Sequence, residues 1–227
     1  MRKNILCYGD SNTWGCIPRW KDLGVPSERY SPEVRWTGRL ATLLGEGFCV
    51  IEEGLGGRTS IYHRPDEPWL NGLPYFKPCL LSHRPLDLVV LMLGTNDLLA
   101  FLGPSMEQLG RGIRTLIEVV RDTPKCGRNG APPPVLVLAP ARIKAGLGRT
   151  EVYPLFDGPR GELLSQAFPE VYRQVAQETG CWYLDASRYA QPSDADGLHW
   201  EEDSHRRLAD AVAEKVRELF PAEGAVE

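Results

Sequence analysis

The sequence predicts an α/β fold in which helices cover both faces of a parallel sheet, and three observations support this prediction. Short apolar runs alternate along the chain with longer segments of helical periodicity. The apolar runs are continuous rather than alternating, which is typical of parallel strands buried on both faces. Strand and helix signals follow one another in turn, which indicates βαβ units joined by right-handed crossovers. We therefore expect a three-layer α/β sandwich.

Five segments have the composition of buried strands. The clearest has the sequence DLVVLML, which is apolar on both faces and occupies residues 87–93. The other four are shorter apolar runs, and they lie at residues 4–8, 47–52, 135–139 and 181–185.

Four segments carry helix signals. Ser31 is followed by Pro32 and an acidic residue, which predicts an N-cap with proline at the first helical position, and Gly45 should end that helix. Ser105 and Gln108 fit a capping box. Two further helices are predicted at residues 170–179 and at about 203–220.

Three long stretches lack periodicity, and loops of this length are usually functional or interfacial. They cover about residues 17–30, 58–80 and 142–167. The third contains Val152, Tyr153, Leu155 and Phe156, and a loop is not expected to bury all four locally. It therefore predicts self-association, with a folded-back lid as the alternative.

The composition is that of a globular protein. At about 150 residues per domain, 227 residues correspond to one or two domains, and we expect a single domain over residues 1–227 with long loops. The net charge of −4 gives no basic excess for nucleic acid or an anionic membrane. No apolar run is long enough for a signal peptide or a membrane span.

The six cysteines form no recognisable framework. No pair has the C-x-x-C spacing, so a zinc or redox motif has no support. Three of the cysteines lie within short apolar runs, where a free thiol behaves as a small hydrophobic group. We expect a cytoplasmic protein with reduced thiols.

Four motifs follow predicted strands, at the sheet edge where α/β proteins form their sites. Ser11 follows the first strand at a glycine-flanked turn, so it is a candidate nucleophile, or else a helix N-cap. Gly57 lies in a glycine-rich turn after the second strand, whose N–H groups can approach a ligand oxygen. Asn96 follows the third strand and can donate to an oxyanion, although an ordinary turn also uses asparagine.

The fourth motif contains Asp196 and His199, after the fifth strand. Their spacing lets the carboxylate hold one ring nitrogen of the imidazole and leave Nε2 as a base. His205 is expected on the solvated face of the last helix, and His63 and His83 are expected to be structural loop residues. A serine, a backbone N–H, an amide and an Asp–His pair at one edge are the groups that acyl transfer requires.

With these motifs the sequence resembles the SGNH (GDSL-type) hydrolases. Gly9-Asp10-Ser11, Gly57, Gly94-x-Asn96-Asp97 and Asp196-x-x-His199 match the four family blocks in order and spacing. The sequence is similar to that of the bacterial arylesterase/acyltransferase branch in five segments, GDSNTWG, VRWTG, EEGL, LMLGTND and DGLH. Departures occur at positions that should shape the pocket, namely Asn12, Cys16, Gly56, Leu98 and Leu99.

The resemblance implies a flavodoxin-like, five-stranded parallel sheet of order 2-1-3-4-5. It also implies a homo-oligomer, because known members of the branch form oligomers. In addition to hydrolysis, it implies acyl transfer to alcohols or formation of peracids. Within the site it implies Ser11 as nucleophile, His199 as base and Asp196 as the residue that orients it. The oxyanion hole is expected from the N–H groups of Ser11 and Gly57 and the side chain of Asn96.

The expected activity is therefore that of a serine esterase on short-chain aryl or alkyl esters, with water or an alcohol as acyl acceptor. No metal or cofactor is expected to take part. Trp14 and Leu198 flank the candidate catalytic residues and suggest an apolar substrate site, unless they belong to the core. The alternatives are a carbohydrate O-acetylesterase and a non-catalytic flavodoxin-like module that binds a phosphate or nucleotide.

Overall fold

The computed structural model describes residues 1–19 and 27–221 and is organised around one five-stranded sheet. The strand order is β2-β1-β3-β4-β5, and every neighbouring pair is parallel. This confirms both the fold class and the strand order expected for the family. The strands are β1 (Lys3–Gly9), β2 (Phe48–Gly54), β3 (Leu88–Met92), β4 (Val135–Ala139) and β5 (Trp182–Asp185).

Helices form the two outer layers. Helices α3, α4 and α6 supply the apolar side chains that cover one face of the sheet, and α2 and α7 cover the other. The helices in chain order are α1 (Ser11–Trp14), α2 (Trp36–Leu44), α3 (Gly72–Ser82), α4 (Met106–Arg121), α5 (Gly158–Ser165), α6 (Phe168–Glu178) and α7 (Glu202–Leu219). Within the described ranges, none of them combines the length and apolar character that crossing a bilayer requires.

The central strand β3 shows why the apolar runs are continuous. All of its residues are buried. Val89 and Leu91 pack into the cluster under α4, whereas Leu88, Val90 and Met92 pack into the cluster under α7. Because alternate side chains enter different cores, both sets must be apolar.

The bounds of several elements differ from the predicted ones. The second strand extends to Gly54, and α6 begins at Phe168, which places Pro169 in its first turn. The prediction that Ser31 caps α2 is wrong, because α2 begins at Trp36. The Ser31 carbonyl instead accepts hydrogen bonds from the N–H groups of Val34 and Arg35, which form a turn before the helix. By contrast, Gly45 ends α2 as predicted, and the Ser105 hydroxyl accepts from the Gln108 N–H at 3.2 Å.

The predicted loop at residues 58–80 is wrong in its second half, where α3 forms. Phe76, Cys79 and Leu80 lie on one face of this helix and are fully buried. Pro74 and Pro78 conceal the helical pattern in the sequence. Pro74 lies in the first turn, where its missing N–H would have no partner in the helix.

The segment 142–167 packs back onto the domain. It contains α5 and two short 3₁₀ turns, and it buries Val152 and Phe156. Leu155 remains 39% exposed. Tyr153 is also not fully buried, so the segment does not bury all four of these side chains, as the sequence predicts. The predicted loop at residues 17–30 lies partly outside the described residues.

Candidate active site

Ser11 lies where β1 ends and α1 begins. Strand β1 ends at Gly9, and the Asp10 carboxylate caps α1 by accepting a hydrogen bond from the Asn12 N–H at 3.0 Å. Ser11 is the first residue of α1 and is half-buried. Burial raises the pKa of Asp10 to about 6, although the Asn12 N–H and the charge of His199 oppose this shift. The cap therefore fixes the turn that presents the serine.

Asp196, His199 and Ser11 form one hydrogen-bonded series. The Asp196 Oδ2 atom lies 2.8 Å from His199 Nδ1, and His199 Nε2 lies 3.0 Å from Ser11 Oγ. The other carboxylate oxygen, Oδ1, accepts the backbone N–H groups of Leu198 and His199 at 3.0 and 2.9 Å. Asp196 is fully buried, so both its position and its acceptor role are fixed. The order nucleophile, base and orienting carboxylate is that of a serine hydrolase triad.

The pairing shifts the pKa values of both partners. Burial alone would raise the pKa of Asp196, but hydrogen bonds from His199 and the backbone outweigh it and lower the pKa. Burial alone would lower the pKa of His199, but its hydrogen bonds with Asp196 and Cys16 raise it above the ordinary value. This environment therefore favours the protonated form of His199 beside the Asp196 carboxylate.

Three N–H donors surround the cavity next to Ser11. Gly57 has a φ of 77°, a left-handed conformation that favours glycine, and an added Cβ would lie 2.9 Å from Leu70. Asn96 donates one amide hydrogen to the Arg58 carbonyl at 3.1 Å, and its amide carries a second. In the described part of the chain, the N–H groups of Ser11 and Gly57 donate to no protein acceptor. These groups can receive a developing oxyanion.

The cavity that these groups share has a volume of about 390 Å³. One part of its wall is apolar and includes Leu70, Leu99, Phe156 and Leu198; another is polar and includes Asn12, Arg64 and Glu67. Of the two residues expected to contact substrate, the structure places Leu198 on the wall and Trp14 away from it. The Trp14 ring packs instead against the Arg29 guanidinium, at 5.3 Å from the ring centroid.

Arg58 fastens the glycine-rich turn after β2 to the neighbouring strand, a role the sequence did not reveal. Its guanidinium donates to the carbonyls of Gly9, at 2.9 Å, and Glu53, and it lies 4.1 Å from the centroid of the Tyr8 ring. Its own carbonyl holds the Asn96 amide. Arg58 thus links the turn that carries Gly57 to the ends of β1 and β3.

Asp97 is a second support that sequence reasoning missed, although its motif was noticed. Its carboxylate accepts the Ser60 N–H at 2.8 Å and the Ser60 hydroxyl at 2.5 Å. Burial raises the pKa of Asp97 to about 6, and the bonds from Ser60 oppose that shift. The signal available in the sequence was an acidic residue, Asp97, directly after Asn96 and close to the end of an apolar strand.

The segment that carries Asp196 and His199 is held by hydrogen bonds from several directions. The Lys144 N–H donates to the Gly197 carbonyl at 3.0 Å, and the Ser193 N–H donates to the His199 carbonyl at 2.7 Å. Asn12 donates from Nδ2 to the Leu198 carbonyl at 3.2 Å, which joins α1 to this segment. The histidine is therefore positioned relative to the serine by backbone contacts on both sides.

The prediction for His205 is wrong, because this residue is fully buried rather than solvated. It lies on the same face of α7 as Leu208 and Val212, three and seven residues later, and that face packs on the sheet. Its Nδ1 accepts the Trp36 N–H at 3.3 Å. Burial lowers the pKa of His205 to about 3.

The two other histidines lie outside the cavity. His63 is exposed in a loop. His83 lies at the end of α3, where its Nε2 is 2.8 Å from Glu53 Oε1.

Comparisons with known proteins identify the family of the chain. The GDSL-like lipase/acylhydrolase family model matches residues 7–208. A solved structure described as the native aryl esterase of M. smegmatis is 39% identical, with a TM-score of 0.89 over 96% of this chain and 100% of that one. A carbohydrate acetylesterase from Sinorhizobium meliloti is 34% identical, with a TM-score of 0.82 over the same shares of the two chains. No curated protein matches the sequence significantly.

A family match that spans most of the chain and solved relatives above 30% identity lead to the same assignment. The chain belongs to the GDSL-like lipase/acylhydrolase family and is a carboxylic ester hydrolase with the SGNH fold.

Proposed function

We propose that this protein is a serine esterase that cleaves short-chain aryl and alkyl esters through an acyl-enzyme on Ser11. The observation that carries the proposal is the 3.0 Å approach of His199 Nε2 to Ser11 Oγ beside the cavity. The residues that carry the reaction are Ser11, His199 and Asp196. The catalytic apparatus lies within residues 1–227, which we propose form a single domain.

In the acylation half-reaction, Ser11 Oγ attacks the ester carbonyl carbon while its proton passes to His199 Nε2. The carbonyl oxygen becomes an oxyanion that accepts hydrogen bonds from the N–H groups of Ser11 and Gly57 and from the Asn96 amide. The ester C–O bond then breaks, and His199 returns the proton to the departing alcohol. Asp196 stabilises the imidazolium between these two transfers.

In the deacylation half-reaction, an acceptor hydroxyl takes the place of the alcohol. His199 removes its proton while its oxygen attacks the acyl carbon, and Ser11 Oγ departs with the proton from His199. Water as acceptor completes hydrolysis, whereas an alcohol yields a new ester and hydrogen peroxide yields a peracid. We propose acyl transfer of this kind as a side activity, since the reaction requires only that the acceptor enter the same cavity.

The shape and lining of the cavity support small aryl or acyl groups. A volume of about 390 Å³ is near the lower end for small-molecule sites. Leu70, Leu99, Phe156 and Leu198 supply apolar contacts beside the candidate catalytic groups. The aryl esterase of M. smegmatis, at 39% identity, supports the same substrate class.

A carbohydrate O-acetylesterase is the second candidate, and Asn12 is the observation that favours it. Asn12 is 5% exposed and lines the cavity. Its Nδ2 donates to the Leu198 carbonyl, which can only accept, so the orientation of the amide is fixed. Within the described residues its Oδ1 has no partner, and it can therefore accept from a substrate hydroxyl. The acetylesterase from Sinorhizobium meliloti is a relative of this kind.

We also propose a homo-oligomer in the cytoplasm. Trp69 and Phe101 are large apolar side chains that are 65% and 58% exposed, which supports self-association. All six cysteines are free, as a reducing compartment requires. Light scattering on the eluting protein measures its mass directly, and a monomer at micromolar concentration would contradict the oligomer.

An ester panel tests the proposed function. Phenyl and p-nitrophenyl acetate to butyrate, and acetylated sugars, are compared with and without an added alcohol, so that hydrolysis and transfer are measured together. We expect higher kcat/KM for the short aryl esters; a preference for acetylated sugars would favour the second candidate. A fluorophosphonate probe should label the protein once, on Ser11. Labelling of Ser11→Ala, or unchanged activity of that variant, would contradict the mechanism.

A further inference from the structure

Three side chains with metal-binding atoms meet outside the active site. They are Glu53 at the end of β2, and Cys79 and His83 on α3 and its C-terminal cap. The carboxylate oxygen, the thiol sulfur and the imidazole nitrogen all lie within 4.8 Å of one another. The proposed ester reaction uses none of these three residues as a catalytic group, so it does not account for the cluster.

The backbone holds the three donors in place. Cys79 and His83 are four residues apart, so they lie on one face of α3, and the His83 N–H donates to the Cys79 carbonyl at 3.2 Å. Fully buried Phe76 and Leu80 anchor the same helix in the core. The Glu53 carbonyl is held by Arg58. The donors therefore come from two rigid elements rather than from a mobile loop.

Thiolate, imidazole and carboxylate are the ligands that Zn²⁺ uses in proteins. Tetrahedral zinc with bonds of about 2.0–2.3 Å places its ligand atoms roughly 3.3–3.8 Å apart. His83 Nε2 and Glu53 Oε1 are 2.8 Å apart, so only small side-chain movements separate the present arrangement from that geometry. Two anionic ligands would balance the charge of the ion.

The surroundings of the cluster also fit a metal centre. Tyr75 donates to Glu53 Oε1 at 3.2 Å and can orient the carboxylate from outside the ligand set. Cys79 is fully buried, whereas the side chains of His83 and Glu53 are 32% and 18% exposed. An ion can thus enter from solvent and keep water as a fourth ligand.

The same three residues could be taken for a cysteine nucleophile with a histidine base. Burial, with the nearby charge of Glu53, raises the pKa of the Cys79 thiol to about 12. A reactive cysteine requires the opposite shift. The thiol is therefore poorly suited to attacking a substrate, whereas a bound cation would itself promote loss of the thiol proton.

We propose that Glu53, Cys79 and His83 bind one Zn²⁺ ion, which would join α3 to the end of β2. Since binding requires the folded arrangement of strand and helix, zinc should stabilise the native state. The glycine-rich turn with Gly57 connects these two elements, so the ion would also restrain that turn from its far side.

Cobalt(II) provides the direct test, because a thiolate ligand gives a charge-transfer band in the near ultraviolet. Full-length protein without an affinity tag is titrated with Co²⁺, and Zn²⁺ is then added. We expect saturation at one equivalent, visible bands of tetrahedral intensity, and loss of all bands when zinc displaces cobalt. Cys79→Ser and His83→Gln should each weaken binding by about 100-fold or more, and zinc should raise the Tm of the unmodified protein but not of these two variants.

Two control variants separate this site from other donors. Cys181→Ser removes a thiol elsewhere, and His199→Gln removes the active-site imidazole; both should bind cobalt as the unmodified protein does. Esterase activity shows that Cys79→Ser and His83→Gln are folded, and His83→Gln, at a half-exposed position, retains the test if Cys79→Ser does not fold. No saturable binding, or a charge-transfer band that persists in Cys79→Ser, would overturn the proposal.

Discussion

The Asp97 carboxylate accepts both the N–H and the hydroxyl of Ser60, at 2.8 and 2.5 Å. Asp97 follows Asn96 at the end of β3, and Ser60 belongs to the turn that carries Gly57. The pair therefore fixes two of the proposed oxyanion donors relative to each other. A catalytic site whose donors come from separate strands requires such a connection, since small displacements weaken stabilisation of the transition state.

Asp97→Ala should lower kcat by about 10- to 100-fold with a smaller change in KM, because it loosens the donors without removing a substrate contact. It also leaves the Ser60 N–H buried without a partner, which should lower the free energy of unfolding by about 1–3 kcal/mol. Steady-state kinetics and urea unfolding measure the two effects. Ser60→Ala, which keeps the N–H bond, should show a milder form of both. Unchanged kcat in a destabilised Asp97→Ala would show that the residue is only structural.

Asn96→Ala should reduce kcat on p-nitrophenyl acetate by about 10²–10³, the usual effect of removing one oxyanion donor. Substrate binding in the ground state should change little. Gln174→Ala, which truncates an amide on the outer face of α6, is a matched control and should retain full activity. A loss of less than about fivefold in Asn96→Ala would exclude the side chain from the oxyanion hole.

The pH dependence of kcat/KM should reflect the environment of His199. Asp196 and Cys16 raise the pKa of this imidazole against the opposing effect of burial, and only the neutral form can accept the serine proton. Activity should therefore rise with pH through a midpoint above the ordinary histidine value of about 6.5. In Cys16→Ala the midpoint should move to lower pH. A midpoint below 6 in the unmodified protein would contradict the stabilising role of these contacts.

His205 should make the fold sensitive to acid. Burial lowers the pKa of His205 to about 3, so between pH 6.5 and 3 the unfolded chain binds a proton that the folded protein does not. The stability from this group is complete above about pH 6.5 and is lost as the pH falls, by up to about 1.4 kcal/mol per pH unit. Urea unfolding from pH 7 to 4 measures the slope.

The carboxyl groups of Asp10 and Asp97 have raised pKa values and act in the opposite direction, because their contribution is present at low pH and lost as the pH rises through about 6. The comparison must therefore be with a variant. His205→Gln keeps an acceptor for the Trp36 N–H and should show a flatter loss of stability in acid. Identical slopes for the two proteins would contradict the assignment to His205.

Much of the fold could be predicted because its signals are local. A strand such as β3 is apolar at every position, since both its faces are buried, and the capping pair Ser105 and Gln108 requires only neighbouring residues. The sequence does not indicate helix α3, because Pro74 and Pro78 are usually unfavourable in helices. Pro74 is tolerated because it lies in the first turn, where its missing N–H would have no partner in the helix. The solvated position predicted for His205 is wrong. A polar residue in an outer helix is usually exposed, but His205 lies on the buried face of α7 together with Leu208.

Some residues of the candidate site could likewise be predicted from the sequence, and others could not. Ser11, Asn96 and His199 lie in short motifs at strand ends, where sequence order and the parallel sheet already place them together. Arg58 and Asp97 act through contacts between different strands, with the carbonyl of Gly9 and with Ser60, and no spacing in the sequence indicates such pairs. Cys79 and His83 have no C-x-x-C spacing, and Glu53 lies on a different element of the chain, so the sequence pattern does not indicate this cluster.

The strand order has a consequence for how the histidine reaches the serine. Strands β3 and β4 lie between β1, which ends at Gly9 just before Ser11, and β5, which precedes His199. Three interstrand spacings of about 4.8 Å separate these elements, so residues 186–199 must bridge roughly 14 Å across the end of the sheet. The hydrogen bond from the Lys144 N–H to the Gly197 carbonyl supports this connecting segment. A displacement of residues 186–199 alone would therefore be sufficient to prevent proton transfer from Ser11 to His199, even when the sheet and Ser11 keep their positions.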